Sequence, residues 1–584
     1  MNYNVFTAIK ILGFRCRLKK FLKDFNAEHM PQDAFTIKFI AAELKEKLLG
    51  GKISKITQPE KDMLAFIIYT ACGSVKLEIC LSAKQCRVNV AKTETPAPKV
   101  APAFCMLLRK HLQNARVADI GQIDGERIVF MDFDCTSEFE LFKMRLYIEL
   151  MGKYSNAILV RDGVIAGALK STAIAESTRR ILFTGAKYAL PEPQDKTAPD
   201  DLQSLESVFK RAAGDKAKFI SDRVRGVSYS TALDVVETYG EDLTAKQVYE
   251  YLTGGKYAPC VTFADGVETD FKVRSASAEK KNYPTLLDAQ TAYFAAVVER
   301  RDFGEKRRKL LAAINTAAKK LEKRLSVIEQ KLLDCRDMEL VKLKGELITA
   351  NIYAIERGMD SFEAVNYYDE KGGKIKIALN KTLSPADNAQ KFYKRYAKLK
   401  RTVETVSVQR DETKRELDYL NSINSHIYAG ECLSDFEETE EELKALGLIR
   451  EKQQSKKQTV VSPFRAFLCE GFKILAGRNN MQNDRLLKSV SPSDIWLHTQ
   501  NYHSSHVVII TGGKAVPDNV LQVAAEICAY YSDGRAGNKI PVDYTKRQFV
   551  KKPPKSNAGF VIYTDYKTVL VDPDAHAGLK EEKL

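Results

Sequence analysis

The sequence predicts a multidomain α+β protein whose parts are separated by a long helical hairpin, and three observations carry that reading. At 584 residues the chain exceeds the roughly 100–200 residues of a usual domain, so several cores are expected. Short alternating segments such as MLAFIIYT and SVKLEICLS crowd the first part, whereas the middle changes to an apolar period of three and four. A compact mixture of short strands and helices returns near residue 459.

Composition narrows the partners. Hydrophobic residues make up 44% and charged residues 29%, the balance of a folded chain and not of a disordered one. Lys and Arg number 91 against 76 Asp and Glu, a formal net charge of +15, which favours nucleic acid or an anionic membrane surface. The 11 Cys are scattered without a C-x-x-C pair, as in a reducing compartment, and no zinc or other metal site is expected. No apolar run approaches the roughly 18 residues that span a bilayer, so a cytoplasmic protein without a membrane partner is expected.

Residues 1–29 mix Lys10, Arg15, Arg17, Lys19, Lys20 and Lys23 with apolar residues, and no signal-peptide core survives those charges. They read as a basic extension or as translation from an upstream start, with Met30 opening the first well-patterned domain. Residues 30–210 form that domain. A helix over Thr36–Leu49 ends at Gly50-Gly51, strands follow in KISKITQ, MLAFIIYT, SVKLEICLS and CRVNVA, and FCMLLRKHL is a second helix. Further strands are expected across 120–134 and 144–150. MGKYSN lacks P-loop spacing and reads as a turn.

Residues 211–289 turn helical. The run from Phe219 through Arg225-Gly226-Val227-Ser228 to Tyr239 is helix, glycine hairpin, helix, a shape that can offer backbone N–H groups to a phosphate. Residues 290–445 are the long hairpin. Its first arm repeats Leu310, Ile314, Ala317, Leu321, Leu325, Ile328 and Leu332; its second repeats Phe392, Tyr396, Leu399, Val403, Val406, Leu417 and Leu420, with Arg410 and Thr413 as polar interruptions. YYDEKGGKIKIALN is a small β tip between them, and a dimerisation coil is the second, less favoured reading of the seam. A linker at 446–458 leads to an α+β domain at 459–575 and a tail at 576–584.

Polar chemistry concentrates between Ile474 and Ile510. Arg478 can fork to a phosphate, while Asn479 and Asn480 can read bases or lock a turn. His498 and His506 lie on separate strands and lack an obvious third metal ligand, which favours structural histidines. Lys546, Arg547, Lys551, Lys552 and Lys555 form a basic run broken by Pro553-Pro554.

GRNNMQND, DIWLHT, SSHVVI, IPVDYT, VKKP and GFVIY, together with PAFCMLLRKHL, YIELMGKYSNAILV and LSPADNAQKFYKRYAKLK, resemble the NFACT family in its bacterial RqcH branch, over Met30 to Asp574. The resemblance implies a glycosylase-like N-terminal α/β domain, a helix-hairpin-helix domain, a long antiparallel coiled-coil hairpin and a C-terminal α+β RNA-binding domain. It further implies a factor without catalytic residues or cofactor. Such a factor binds large ribosomal subunits, through rRNA, when they are obstructed by peptidyl-tRNA. It recruits alanine tRNA and promotes mRNA-independent alanine tailing of the stalled chain. The family's tRNA-recruiting Asp-Arg pair maps to Glu126-Arg127, with Glu in place of Asp. Arg478, Asn479, Asn480, Asp484, Arg485, His498, His506, Lys551 and Lys552 are the candidate RNA or ribosome contacts of the C-terminal domain.

Two other classes have specific requirements. A DNA glycosylase or lyase using Pro31 as an N-terminal amine would need acidic residues after the proline, where Gln32 stands, and a Cys-rich finger; no stable DNA partner is expected. A fibronectin-binding adhesin would need a secretion signal and a disulfide framework.

Overall fold

The computed structural model describes residues 32–576, apart from 92–97, 99, 137–139, 172–179, 193, 211, 213, 241, 370–371 and 451–462, and also residue 579. The basic extension and Pro31 therefore lie outside the described residues, as does most of the expected linker. The chain divides into two compact units, Met1–Val298 and Glu299–Leu584.

In the first unit α1 (Ala34–Leu48) starts at Asp33, whose carboxylate accepts the Thr36 N–H at 2.9 Å. It is followed by β1 (Lys52–Glu60), β2 (Met63–Thr70), β3 (Gly73–Cys80), β4 (Arg87–Ala91), α2 (Ala103–Leu112), β5 (Arg116–Gln122), β6 (Ile128–Thr136), β7 (Leu141–Glu149), β8 (Asn156–Arg161) and β9 (Val164–Ala168). These strands make one sheet in the order β4-β3-β2-β1-β5-β6-β7-β8-β9, every pairing antiparallel. Most successive strands are joined by tight turns, which only antiparallel neighbours permit. The expected α/β class is therefore corrected to α+β: α1 and α2 join one core with the sheet instead of alternating with parallel strands. Ile37, Ile40 and Leu44 from α1 meet Leu108 and Leu112 from α2 and Ile53, Val117 and Met131 from the strands.

Four helices come next, α3 (Leu202–Phe209), α4 (Lys216–Arg223), α5 (Tyr229–Tyr239) and α6 (Ala245–Thr253), around a core of Leu205, Ile220, Val235 and Val248. The sequence reading did not assign the sheet that follows, β10 (Cys260–Ala264), β11 (Val267–Lys272) and β12 (Lys280–Asn282). Its signal was present: Asp265-Gly266, at φ +51° and +74°, is a two-residue hairpin turn between alternating segments. The long helix α7 (Leu286–Asp334) then begins, and Glu43 of α1 accepts its Leu286 and Leu287 N–H groups at 2.7 and 3.0 Å. A carboxylate at a helix N-terminus satisfies donors that the helix cannot.

In the second unit α8 (Met338–Ala350) continues from α7 after a break at residues 335–337, a hairpin of β13 (Ser361–Val365) and β14 (Lys374–Ala378) follows, and α9 (Pro385–Ala429) returns. Phe392, Tyr396, Leu399, Val403, Val406, Arg410, Thr413, Leu417 and Leu420 are each buried or half-buried, so the expected seam includes its two polar interruptions. Thr413 is fully buried because its hydroxyl donates to the Gln409 carbonyl at 2.7 Å. Leu310 and Ile314 of α7 pack with Leu420, Ile423 and Ile427 of α9 and Leu443 of α10 (Glu437–Ala445).

The C-terminal sheet has the order β15-β16-β18-β17-β19-β22, from β15 (Arg465–Cys469), β16 (Phe472–Ala476), β17 (Ile495–Thr499), β18 (Val507–Ile510), β19 (Ile540–Lys546) and β22 (Lys567–Val571). Helices α11 (Asn480–Ser489) and α12 (Asp518–Tyr530) lie between the strands in sequence, and β20 (Val550–Lys551) pairs with β21 (Ile562–Tyr563). Alternation sends Leu497, Val507 and Ile509 to one core with Ala524 and Cys528, and Trp496 and Val508 to another with Leu486 and Val550. Among the described residues no helix is long and apolar enough to cross a membrane.

Candidate functional site

Glu126 and Arg127 sit in the turn that joins β5 to β6. Ile123 accepts the Glu126 N–H at 2.9 Å and donates its own to Ile128 at 2.9 Å, which closes the turn. Gly125, at φ +70°, supplies the left-handed residue that this closure requires. Gln122 holds the turn from inside, donating to the carbonyls of Glu126 at 2.8 Å and Ala34 at 2.6 Å.

The α4–α5 hairpin completes this corner. Arg225 pairs with Asp124 at 3.3 Å and covers Gly125, where a Cβ would come within 2.4 Å of its Nε. Gly226 accepts the Phe35 N–H at 3.0 Å, and the Ser228 N–H donates to Asp33 at 2.9 Å. Asp33 thereby serves two helix N-termini at once, α1 with one oxygen and α5 with the other. The hairpin gives its Ser228 N–H to a carboxylate of the same chain, so that donor is not offered to a phosphate. Burial raises the Glu126 carboxyl above its ordinary pKa, against the attraction of Arg225 and Arg127. The corner thus presents a half-buried acid beside two guanidinium groups on a rigid turn.

The C-terminal candidates divide into a buried set and an exposed set. Arg478 Nη1 donates to Asp435 at 2.6 Å, and Arg465 donates to the same carboxylate at 3.1 Å. Burial alone would raise Asp435, but Arg465, the Glu431 N–H and Arg478 together hold it below the ordinary carboxylate value. Asn479 caps α11 by accepting the Gln482 N–H at 2.8 Å. Asn480 reaches back to α9, 3.1 Å from His426 Nε2, and donates to Ser422 at 3.0 Å. Arg485 pairs with Glu438 of α10 at 3.0 Å. His506 is buried and stacks edge-on against Trp496, which lies flat against His498 at 5.7 Å. Desolvation pushes His498 and His426 down to about 4 and His506 well below its ordinary value.

Asn479, Asn480 and His506 are 1–3% exposed, so these three expected contacts present no surface to RNA. Asn480 ties the start of α11 to the end of α9 and to Glu442 of α10, while Asn479 caps α11 itself. Among the described residues no group of three His, Cys, Asp or Glu could hold a metal ion. The exposed set lies at the end of β20 and just after it. Lys551 and Lys552 are exposed; Lys552 pairs with Asp484, which also accepts the Gly559 N–H at 3.0 Å and so fixes the loop. Phe560 and Ile562, 52% and 54% exposed, with Ile562 opposite Lys551, were not expected at the surface, because apolar residues in GFVIY read as core.

A family model for NFACT N-terminal and middle domains matches residues 33–461, and one for the NFACT protein RNA binding domain matches residues 463–562. The chain belongs to the NFACT family. Among NFACT relatives, the Rqc2 homolog RqcH of Bacillus subtilis (strain 168) is 32% identical over 562 residues, covering 93% of this chain and 98% of that protein. The Rqc2 homolog RqcH of Streptococcus suis (strain 05ZYH33) is 30% identical over 560 residues, with coverage of 93% and 98%. Of solved structures, the C-terminal part of the fibronectin/fibrinogen-binding protein from Streptococcus suis is 29% identical, covering 48% of this chain and 99% of that one at a TM-score of 0.39. The NFACT RNA-binding match ends at residue 562 and so takes in Lys551, Lys552 and Phe560.

Proposed function

We propose that this chain is a ribosome quality control factor that binds large ribosomal subunits obstructed by peptidyl-tRNA, recruits alanyl-tRNA through the Glu126–Arg127 turn, and promotes mRNA-independent alanine tailing of the stalled nascent chain. Relatives named Rqc2 homolog RqcH along nearly the whole chain, and a matching RNA-binding domain, support a role in ribosome quality control. The observation that carries the tRNA assignment is the bracing of the turn by Gln122 from inside and by Arg225 of the α4–α5 hairpin from outside. A rigid acid–arginine corner can select a ligand by position, while peptide bond formation is left to the ribosome. Arg127 supplies a fork for a phosphate or base edge, and Glu126 accepts from base amino groups. The longer arm of Glu in place of Asp keeps the carboxylate. Lys551 supplies a phosphate contact, and the exposed Phe560 a stacking surface, in the RNA-binding domain.

Mass spectrometry of the C-termini released from a stalled reporter tests the reading. Alanine tails should vanish on deletion of the gene and return with the wild-type chain. Tails that persist unchanged in the deletion would overturn it.

A further inference from the structure

The two halves of the nine-stranded sheet meet at β1 and β5 through one registered pair, Lys52 opposite Arg116. Lys52 is at the same time opposite Tyr69 on β2. Residues directly opposite one another point to the same face and neighbouring strands lie about 4.8 Å apart, so Tyr69, Lys52 and Arg116 form a row across three strands. Their sequence neighbours Ile68, Ile53 and Val117 are buried, which leaves the row on the outside. The row lines a groove of about 720 Å³ together with Leu49, Ser54 and Asn114.

Neither Tyr69 nor Lys52 is explained by packing or pairing. The Tyr69 ring is 65% exposed, and among the described residues its hydroxyl and the Lys52 ammonium make no hydrogen bond or ion pair. Arg116 is exposed, yet it is held across the groove floor by donating to the Gly50 carbonyl at 3.1 Å. Leu49, 51% exposed, adds an apolar wall beside the ring. Beyond Arg116 the row continues through Asp134 on β6 to the exposed Lys143 on β7, so that the acid separates the Lys52–Arg116 pair from the next cation.

We propose that this seam is a contact site for single-stranded RNA, in which a base stacks on Tyr69 and the adjoining phosphates are held by Lys52 and Arg116. An exposed aromatic ring interleaved with two cations is the chemistry that binds unpaired nucleotides without reading their sequence. The site lies at the opposite end of β5 from the Glu126 turn, about 20 Å away at about 3.3 Å per residue. It rests on the reading of the chain as an RNA-binding factor and adds a second, sequence-tolerant hold on the same unit.

The test measures binding of a mixed-sequence single-stranded RNA, its duplex and tripolyphosphate to the full chain and to Tyr69→Ala, Tyr69→Phe and Lys52→Gln/Arg116→Gln. Thermal melting of each variant keeps folding apart from binding. Tyr69→Ala should weaken the single strand roughly fivefold or more, with Tyr69→Phe close to wild type, since stacking needs the ring and not the hydroxyl. The double charge variant should lower the salt slope by about 1.4. Single-strand binding that none of the variants changes would overturn this site while leaving the broader reading standing. Equal loss for Tyr69→Ala and Tyr69→Phe, or a response only to tripolyphosphate, would likewise overturn it. A wild-type chain that binds no RNA at all would overturn both.

Discussion

Arg478 donates to Asp435 at 2.6 Å across the contact between the C-terminal sheet and the segment that follows α9. The arginine belongs to GRNN, the most recognisable motif of the chain, and it serves as a latch. Arg465 shares the carboxylate, with both side chains at 2% exposure or less in that second pair. Removing one partner of a buried pair strands the other charge, which costs about 3–5 kcal/mol. Asp435→Ala strands two guanidinium groups, so urea unfolding should show a larger loss for it than for Arg478→Ala. Equal losses, or none, would mean that the carboxylate is not the centre of the latch.

The two units should respond to pH with opposite signs. His426 and His498, at about 4 against an ordinary 6.5, bind fewer protons folded than unfolded. Their contribution is complete above about pH 6.5 and is lost as pH falls toward 4. Asp270, fully desolvated near Lys272 and Ser230, is pushed up from 3.8 to about 7; its contribution is complete below 3.8 and is lost as pH rises through 7. Hydrogen exchange should show the C-terminal sheet weakening on mild acidification while β11 gains protection, and Asp270→Asn should remove the second effect. Parallel weakening of both regions would contradict the assignment.

Gly125→Ala probes the Glu126 turn without touching either proposed tRNA contact. The residue holds φ +70°, and an added Cβ would meet Arg225 at 2.4 Å. The variant should melt lower by about 1 kcal/mol or more and recruit less tRNA because the turn and the α4–α5 hairpin separate. Unchanged recruitment would show that the bracing is dispensable.

How far the sequence reaches depends on whether a structural feature is local. The α9 seam was legible down to Thr413 because periodicity is a local property, and the α1 stop at Gly50 likewise. The site was legible only as residue identities. That Arg225 covers the Glu126 turn at Gly125, or that Asn480 faces His426, depends on long-range packing that no spacing encodes. β19 is a strand that local rules hide, since Pro541 within IPVDYT argues against a central strand, yet it pairs on both sides. Phe560 was passed over because exposure of an apolar residue is decided by the loop that Asp484 holds.

Sequencing the RNA that copurifies with the chain tests the central claim most directly. Wild type should carry large-subunit rRNA and enriched alanine tRNA, and Glu126→Ala/Arg127→Ala should keep the rRNA while losing the tRNA. The account is contradicted if wild type carries neither, or if the double variant loses both together.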